Sequence, residues 1–217
     1  MRSGALDLSD LLTDIQPSDV KCPDLSDIGP RPSSAKDLFA EKKRAGWNKV
    51  QTEDARCDFA PNRLRITNRG GVVFTSLWKK SVYGRTLTDI KADPDMVATF
   101  ADALVPLIRS VIGSFLSPDI FAVVTTPKRR HRERNFATLV ADRIAQALGL
   151  PFYEDCAECR TKQRTGAVFT AHNLPPHPHI IVIDDFVTTG QTFVSMQNLL
   201  LEHRKNCVFF AGINNKL

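Results

Sequence analysis

No apolar run in this 217-residue chain approaches the roughly 18 residues a membrane-spanning helix needs. The N-terminus also lacks the apolar core of a secretion signal, so a cytoplasmic protein with no membrane association is expected. Cysteine is scarce and unpaired: Cys22, Cys57, Cys156, Cys159 and Cys207 form an odd, scattered set, which argues against a disulfide framework. Cys156 and Cys159 make one C-x-x-C, half of a zinc site without a second pair, and reduced thiols are expected instead. Extremes of composition are missing too. With 42% hydrophobic and 24% charged residues the chain is an ordinary globular protein, long enough for one domain with an extension or two small ones.

What is present first is an uneven charge. Residues 1–30 hold Arg2 and Lys21 against six aspartates, a net of −4, which leaves +9 for residues 31–217. The basic part suits a phosphate-rich ligand or nucleic acid, and charge alone does not choose between them. Residues 1–32 are polar, Asp-rich and broken by Pro17, Pro23, Pro30 and Pro32, which reads as an acidic, mostly disordered arm. Within it Leu8, Leu11, Leu12 and Ile15 share one helical face, a candidate docking element. Residues 33–70 read as a helical and strand extension: Ser34 and Asp37 form a capping box ahead of a helix that Gly46 ends. Residues 1–60 are thus the candidate contact with a protein partner.

Residues 71–217 carry the main pattern. Leu64–Thr67 and Val72–Leu77 read as strands joined by the tight turn Asn68-Arg69-Gly70-Gly71. Asp93-Pro94 then opens a helix whose apolar face runs through Val97, Phe100, Ala101, Leu104, Leu107, Ile108 and Val111 to about Phe115. Ile120–Val124 is a buried-strand run. A helix from about Phe136 to Leu148 follows, burying Leu139, Val140, Ile144 and Leu148, with Gly149 just past its end. Phe152-Tyr153, Ile180–Ile183 and Cys207–Ala211 are further strands, and a helix to about His203 separates the last two. That alternation predicts an α/β fold built on a parallel sheet, Rossmann-like, with an N-terminal extension. Ligands in such sheets bind beyond the carboxyl ends of the strands.

Two loops at such ends are unusual. Ile180-Ile181-Val182-Ile183 stops at Asp184 and Asp185, and Phe186-Val187-Thr188-Thr189-Gly190-Gln191-Thr192 leads directly into a helix. Three hydroxyls, a glycine and a helix N-terminus favour a bound phosphate. The paired carboxylates would repel bare phosphate, so the ligand is expected to bring hydroxyls or a divalent cation. A ribose phosphate with Mg²⁺ meets both demands. The second loop, Thr125-Thr126-Pro127-Lys128-Arg129-Arg130-His131-Arg132-Glu133-Arg134, is densely cationic and suits a pyrophosphate or a nucleic-acid backbone.

The run from Ile180 to Thr192 resembles the phosphoribosyl-pyrophosphate motif of type I phosphoribosyltransferases. Arg132-Glu133-Arg134-Asn135-Phe136, then Arg160-Thr161-Lys162-Gln163, then Asn173, ahead of that motif, is similar to the competence-protein ComF branch of that family. Three departures stand out. Asn135-Phe136-Ala137 replaces the usual Gly-Phe-Asn, the N-terminal zinc cysteines are missing, and the segment from Gln163 to Asn173 is short. The resemblance implies transfer of a phosphoribosyl group to a base-like acceptor with release of pyrophosphate. Asp184 and Asp185 would accept hydrogen bonds from the ribose hydroxyls that also ligate Mg²⁺. Thr188, Thr189, Gly190, Gln191 and Thr192 would hold the 5-phosphate. Thr126, Lys128, Arg129 and Arg134 would face pyrophosphate, and Arg160 and Gln163 would close on it. The same pocket in a non-catalytic sensor or effector subunit, acting through a protein or nucleic-acid partner, is the alternative, and a homo-oligomer is compatible with either. For Gly212-Ile213-Asn214-Asn215 a frayed end is expected.

Overall fold

A computed structural model describes residues 56–60, 63–128, 134–159 and 168–215, all within one unit spanning residues 46–217. In chain order the strands are β1 (Arg56–Cys57), β2 (Arg65–Arg69), β3 (Val72–Ser81), β4 (Arg85–Thr86), β5 (Phe121–Thr125), β6 (Phe152–Tyr153), β7 (Ala157–Cys159), β8 (Phe169–Ala171), β9 (His179–Val187) and β10 (Asn206–Asn214). The helices are α1 (Leu87–Ala92), α2 (Asp95–Ile112), α3 (Phe136–Leu148) and α4 (Gln191–Glu202). The expected helix at Ser34 and the acidic arm lie outside the described residues.

Strands β3, β10, β9, β5 and β6 run parallel in that spatial order. β1 and β2 pair antiparallel with the two ends of β3, and β4 lies beyond β1. β7 and β8 form a separate small hairpin. The all-apolar run of β9 follows from its central position, because both faces of the strand are covered. Ile181 and Ile183 join Phe210 and Ile213 under α2 and α3, whereas Ile180 and Val182 join Phe209 and Ala211 under α4. Fully buried Leu104 and Ile144 fasten the first face, and Phe193 and Met196 the second. Truncating any of these to alanine costs about 2–5 kcal/mol, through lost transfer energy plus the cavity left behind.

The sequence expectations for α2, α3 and α4 hold, with local corrections. Asp93 accepts the Asp95 amide through its side chain at 2.9 Å, but the α-helix begins after Pro94 and gives way to a 3-10 turn at Gly113–Phe115. Val111, assigned to the buried face, is 43% exposed because the burial stripe ends at Ile108, one turn earlier. Leu139, also expected inside, is 40% exposed and opens onto a groove of about 590 Å³ lined in part by Lys91, Phe136 and Asp142. Asp95–Phe115 is long and apolar enough to cross a membrane by length and composition. Its Phe100, Leu104 and Ile108 are instead fully buried in the core that α2 forms with α3 and the sheet. Burial pushes the thiols of Cys57 and Cys156 up to about 12. Helix α1, strands β1 and β4, and the β7–β8 hairpin have no counterpart in the sequence expectations.

Candidate functional site

Strand β9 pairs residue for residue with β10 as far as Val187↔Asn214, so the acid pair still lies within the ladder and its peptide planes are fixed by a neighbour on one side. Each carboxylate folds onto the next amide: Asp184 accepts from the Asp185 N–H at 2.9 Å, and Asp185 from the Phe186 N–H at 2.8 Å. Asp185 is buried and its Oδ2 lies 2.7 Å from the Lys91 ammonium on α1, which also rests 4.7 Å from the Phe186 ring centroid. Burial pushes the Asp184 carboxyl well above its ordinary range, and the charge and hydrogen bond of Asp185 push it further; Lys91 offsets only part of this. Of the two adjacent carboxyls, Asp185 holds the Lys91 ammonium and Asp184 is the one pushed up.

Immediately beyond, Thr188 and Thr189 are exposed, and Gly190 takes a left-handed φ of 77° at the start of α4. Helix α4 has no acidic residue in its first turn and no side-chain hydrogen bond at its cap. Its N-terminal dipole therefore favours an anion at this end, with no carboxylate of the same helix competing for it. Thr189 Oγ1 accepts weakly from the Gln191 amide at 3.4 Å. The expected frayed end is absent: Asn214 is buried, the Asn215 amide donates to the Val187 carbonyl at 2.8 Å, and its side chain donates to Thr188 Oγ1 at 3.2 Å. Register explains the order, because β10 continues to pair with β9 to its last residue.

The cationic loop leaves the adjacent strand, with Thr125 of β5 level with Ile183 of β9. Thr126 is buried at its start. Lys128 is only 8% exposed and is held by Glu154 at 2.6 Å and Asp155 at 3.2 Å. Burial alone would lower its pKa, but these two carboxylates more than offset that and raise it. Arg134 pairs with Asp142 at 2.7 Å and Glu154 at 3.0 Å. Glu154 thus bridges both ends of the loop. Asn135 caps α3 by accepting from the Thr138 amide at 2.9 Å. Arg129, Arg160 and Gln163 lie outside the described residues.

Among the residues expected to act together, the structure brings Asp184, Asp185, Thr188, Thr189, Gly190, Gln191 and Thr192 into one continuous edge, with Thr126 and Lys128 in the loop that follows the neighbouring strand. Sequence reasoning missed Lys91, Glu154 and Arg69. Arg69, at the end of β2, donates to the carbonyls of Val187 and Thr188 and to Asn214 Oδ1. A signal for Lys91 was present, since Thr86 and Asp89 form a capping box that announces α1, with Thr86 accepting the Asp89 amide at 3.1 Å.

No family model matches the chain, and no curated protein matches it in sequence. Among solved structures it is similar to an adenine phosphoribosyltransferase at 16% identity, over 70% of this chain and 84% of that one, with a TM-score of 0.44. Orotate phosphoribosyltransferase from Aeropyrum pernix matches at 16% identity over 78% and 76%, with a TM-score of 0.39. A hypoxanthine-guanine phosphoribosyltransferase from Bacillus anthracis matches at 10% identity over 57% and 80%, with a TM-score of 0.41. At these values the likeness says nothing of activity.

Proposed function

We propose that this chain binds phosphoribosyl pyrophosphate, or a related ribose phosphate, at the carboxyl edge of β9 and β5, and transfers the phosphoribosyl group to a nitrogen of a base-like acceptor. The observation that carries this reading is the acid pair near the end of the β9 ladder, two residues before a threonine-glycine loop that starts a helix with no acidic residue in its first turn. A phosphate alone would not explain the carboxylates, and hydroxyls alone would not explain the helix end.

In the reaction the bond between ribose C1 and the pyrophosphate oxygen breaks, its electron pair leaving with pyrophosphate. The acceptor nitrogen supplies the pair for the new C1–N bond and loses its proton. The protein's task is electrostatic: Asp184 and Asp185 orient the ribose by accepting from its hydroxyls, the Thr188–Thr192 loop anchors the 5-phosphate, and Thr126, Lys128 and Arg134 lie toward the leaving pyrophosphate. Arg129, Arg160 and Gln163 belong to the same proposal as its outer cations and closing contacts. Among the described residues no group of three or more His, Cys, Asp or Glu side chains forms a metal cage. An adjacent pair of carboxylates suits Mg²⁺, which keeps waters and takes oxygens from a substrate around one or two carboxylates. Asp184 and Asp185 would hold it, and it would neutralise charge on the departing pyrophosphate.

Calorimetric titration of phosphoribosyl pyrophosphate, with and without Mg²⁺, tests the proposal. Mg²⁺-dependent binding is expected, weakened by at least about tenfold in the Asp184→Asn/Asp185→Asn chain; equal binding by both chains would sink it. A non-catalytic sensor is the second reading, favoured by the ion pairs that already occupy Asp185 and Lys128. Release of pyrophosphate in the presence of purine or pyrimidine bases separates the two.

A further inference from the structure

Arg69 lies 118 positions before Val187 in sequence, yet its guanidinium is built into the back of the loop assigned above to the 5-phosphate. One terminal nitrogen donates to the Val187 carbonyl at 3.3 Å and to the Thr188 carbonyl; the other donates to Asn214 Oδ1 at 2.6 Å. Asn214 is itself buried and donates at 3.3 Å to Oγ1 of Thr67, two residues before Arg69 on β2. The aliphatic stem of Arg69 lies against Gly190, where an added Cβ would come within 3.2 Å of Arg69 Cβ and 3.3 Å of Cγ. The neighbouring Gly70 approaches the first turn of α4 as closely, an added Cβ there meeting Val194 Cγ2 at 3.1 Å. The β2–β3 turn is thus seated on both the loop and the helix it feeds.

Peptide planarity turns these contacts into a statement about the opposite side of the loop. In a trans peptide the C=O and the following N–H point in opposite directions. Holding the Val187 and Thr188 carbonyls on Arg69 therefore aims the amides of Thr188 and Thr189 away from it, toward the open side. The same cation places a fixed positive charge directly behind those amides. Three acceptors on one planar fork is a task for arginine, not for lysine with its single point charge.

We infer that Arg69 is the positioning residue of the phosphate loop, orienting the Thr188 and Thr189 amides for a phosphomonoester and supplying the charge behind them. This rests on the ribose-phosphate reading of the site. It differs from a plain tether of the hairpin in what it should change, which is affinity for the phosphate-bearing end of the ligand and not for pyrophosphate bound beside β5.

The test is paired calorimetry of the full chain with ribose 5-phosphate and with inorganic pyrophosphate, for wild type, Arg69→Lys and Arg69→Gln, with thermal melts of each. Arg69→Lys is expected to weaken ribose 5-phosphate about tenfold, and Arg69→Gln more, while pyrophosphate affinity stays within about twofold. Ribose 5-phosphate affinity unchanged in both variants overturns the assignment. So does a parallel loss for both ligands, or loss of the fold in both variants, either of which makes Arg69 structural. Wild type that binds no ribose 5-phosphate overturns the ribose-phosphate reading itself, and this inference with it.

Discussion

Gly212 lies in β10 where the strand crosses beneath Phe100 of α2, and nothing but its missing side chain makes that crossing fit. A Cβ built there would lie 2.3 and 2.5 Å from two ring carbons of Phe100 and 3.1 Å from the Asp185 carbonyl. Carbon contacts become comfortable near 3.4 Å, so the ring would have to retreat by about 1 Å. It has nowhere to go: Phe100 is fully buried, with Trp78 at 4.9 Å, Phe136 at 5.1 Å, Phe59 at 6.0 Å and Phe186 at 6.2 Å between ring centroids. Overpacking of this kind costs about 1–3 kcal/mol, and for a chain of this size each kcal/mol lowers the melting temperature by roughly 2–4 °C. Gly212→Ala is therefore expected to melt about 2–12 °C below wild type. Gly149→Ala serves as the contrast, because Gly149 is left-handed at φ 68° and has no atom near the added Cβ, leaving only a backbone penalty of about 1–2 kcal/mol. Adding Phe100→Leu to Gly212→Ala should recover part of the loss, with a favourable coupling of about 1 kcal/mol or more in the double-mutant cycle. A Gly212→Ala chain melting within about 2 °C of wild type, or a cycle with no coupling, would refute the packing argument.

The other expectations can be read from the same melts. Glu154→Gln removes the carboxylate shared by Lys128 and Arg134; with Glu154 30% exposed and Lys128 8% exposed, the loss should fall between that of surface and buried pairs, about 1–2 kcal/mol. A change below about 0.5 kcal/mol would mean that the bridge does not order the loop. Asp184→Asn should stabilise the metal-free chain at neutral pH by about 1 kcal/mol, since it deletes a carboxylate whose ionised form the fold disfavours. The sign follows from linkage: a carboxyl whose folded pKa is raised costs nothing below the unfolded value and reaches its full cost above the folded one. The gain should therefore shrink as pH falls toward 3.8, and a gain that grows on acidification would contradict the assignment.

The fold was legible where hydrophobic pattern decides it. Ile180–Ile183 could only be a strand covered on both sides, and Phe136–Leu148, bounded by Asn135 and Gly149, matches its helix residue for residue. Helix α1 escaped because its six residues bury only Ile90, too short a stretch to show a period. The β7–β8 hairpin, three residues to a strand, is below the same threshold. The acid pair and threonine loop were visible because their chemistry is contiguous in sequence. Arg69 and Glu154 were not, because each acts across a gap: Arg69 on a loop more than a hundred positions away, and Glu154 on a lysine 26 positions earlier. A sequence displays the density of charge in a loop but not the partners that folding supplies to it.

That difference bears on what the basic composition means. Residues 31–217 carry +9, yet the described cations nearest the site are already committed: Lys91 to Asp185, Lys128 to Glu154 and Asp155, Arg134 to Asp142 and Glu154. A polyanion laid across this edge would have to take Lys128 and Arg134 from carboxylates at 2.6 and 2.7 Å before either could neutralise a phosphate and release its counterion. A small ligand entering the edge meets a different balance, because ribose hydroxyls, a cation and phosphate oxygens together can replace the contacts they displace. Binding of a DNA or RNA oligonucleotide should accordingly lose less affinity per decade of salt than the number of cations from Lys128 to Arg134 would give, with a slope well short of about −0.9 per cation. A slope near the full count would place nucleic acid ahead of a ribose phosphate as the partner of this edge.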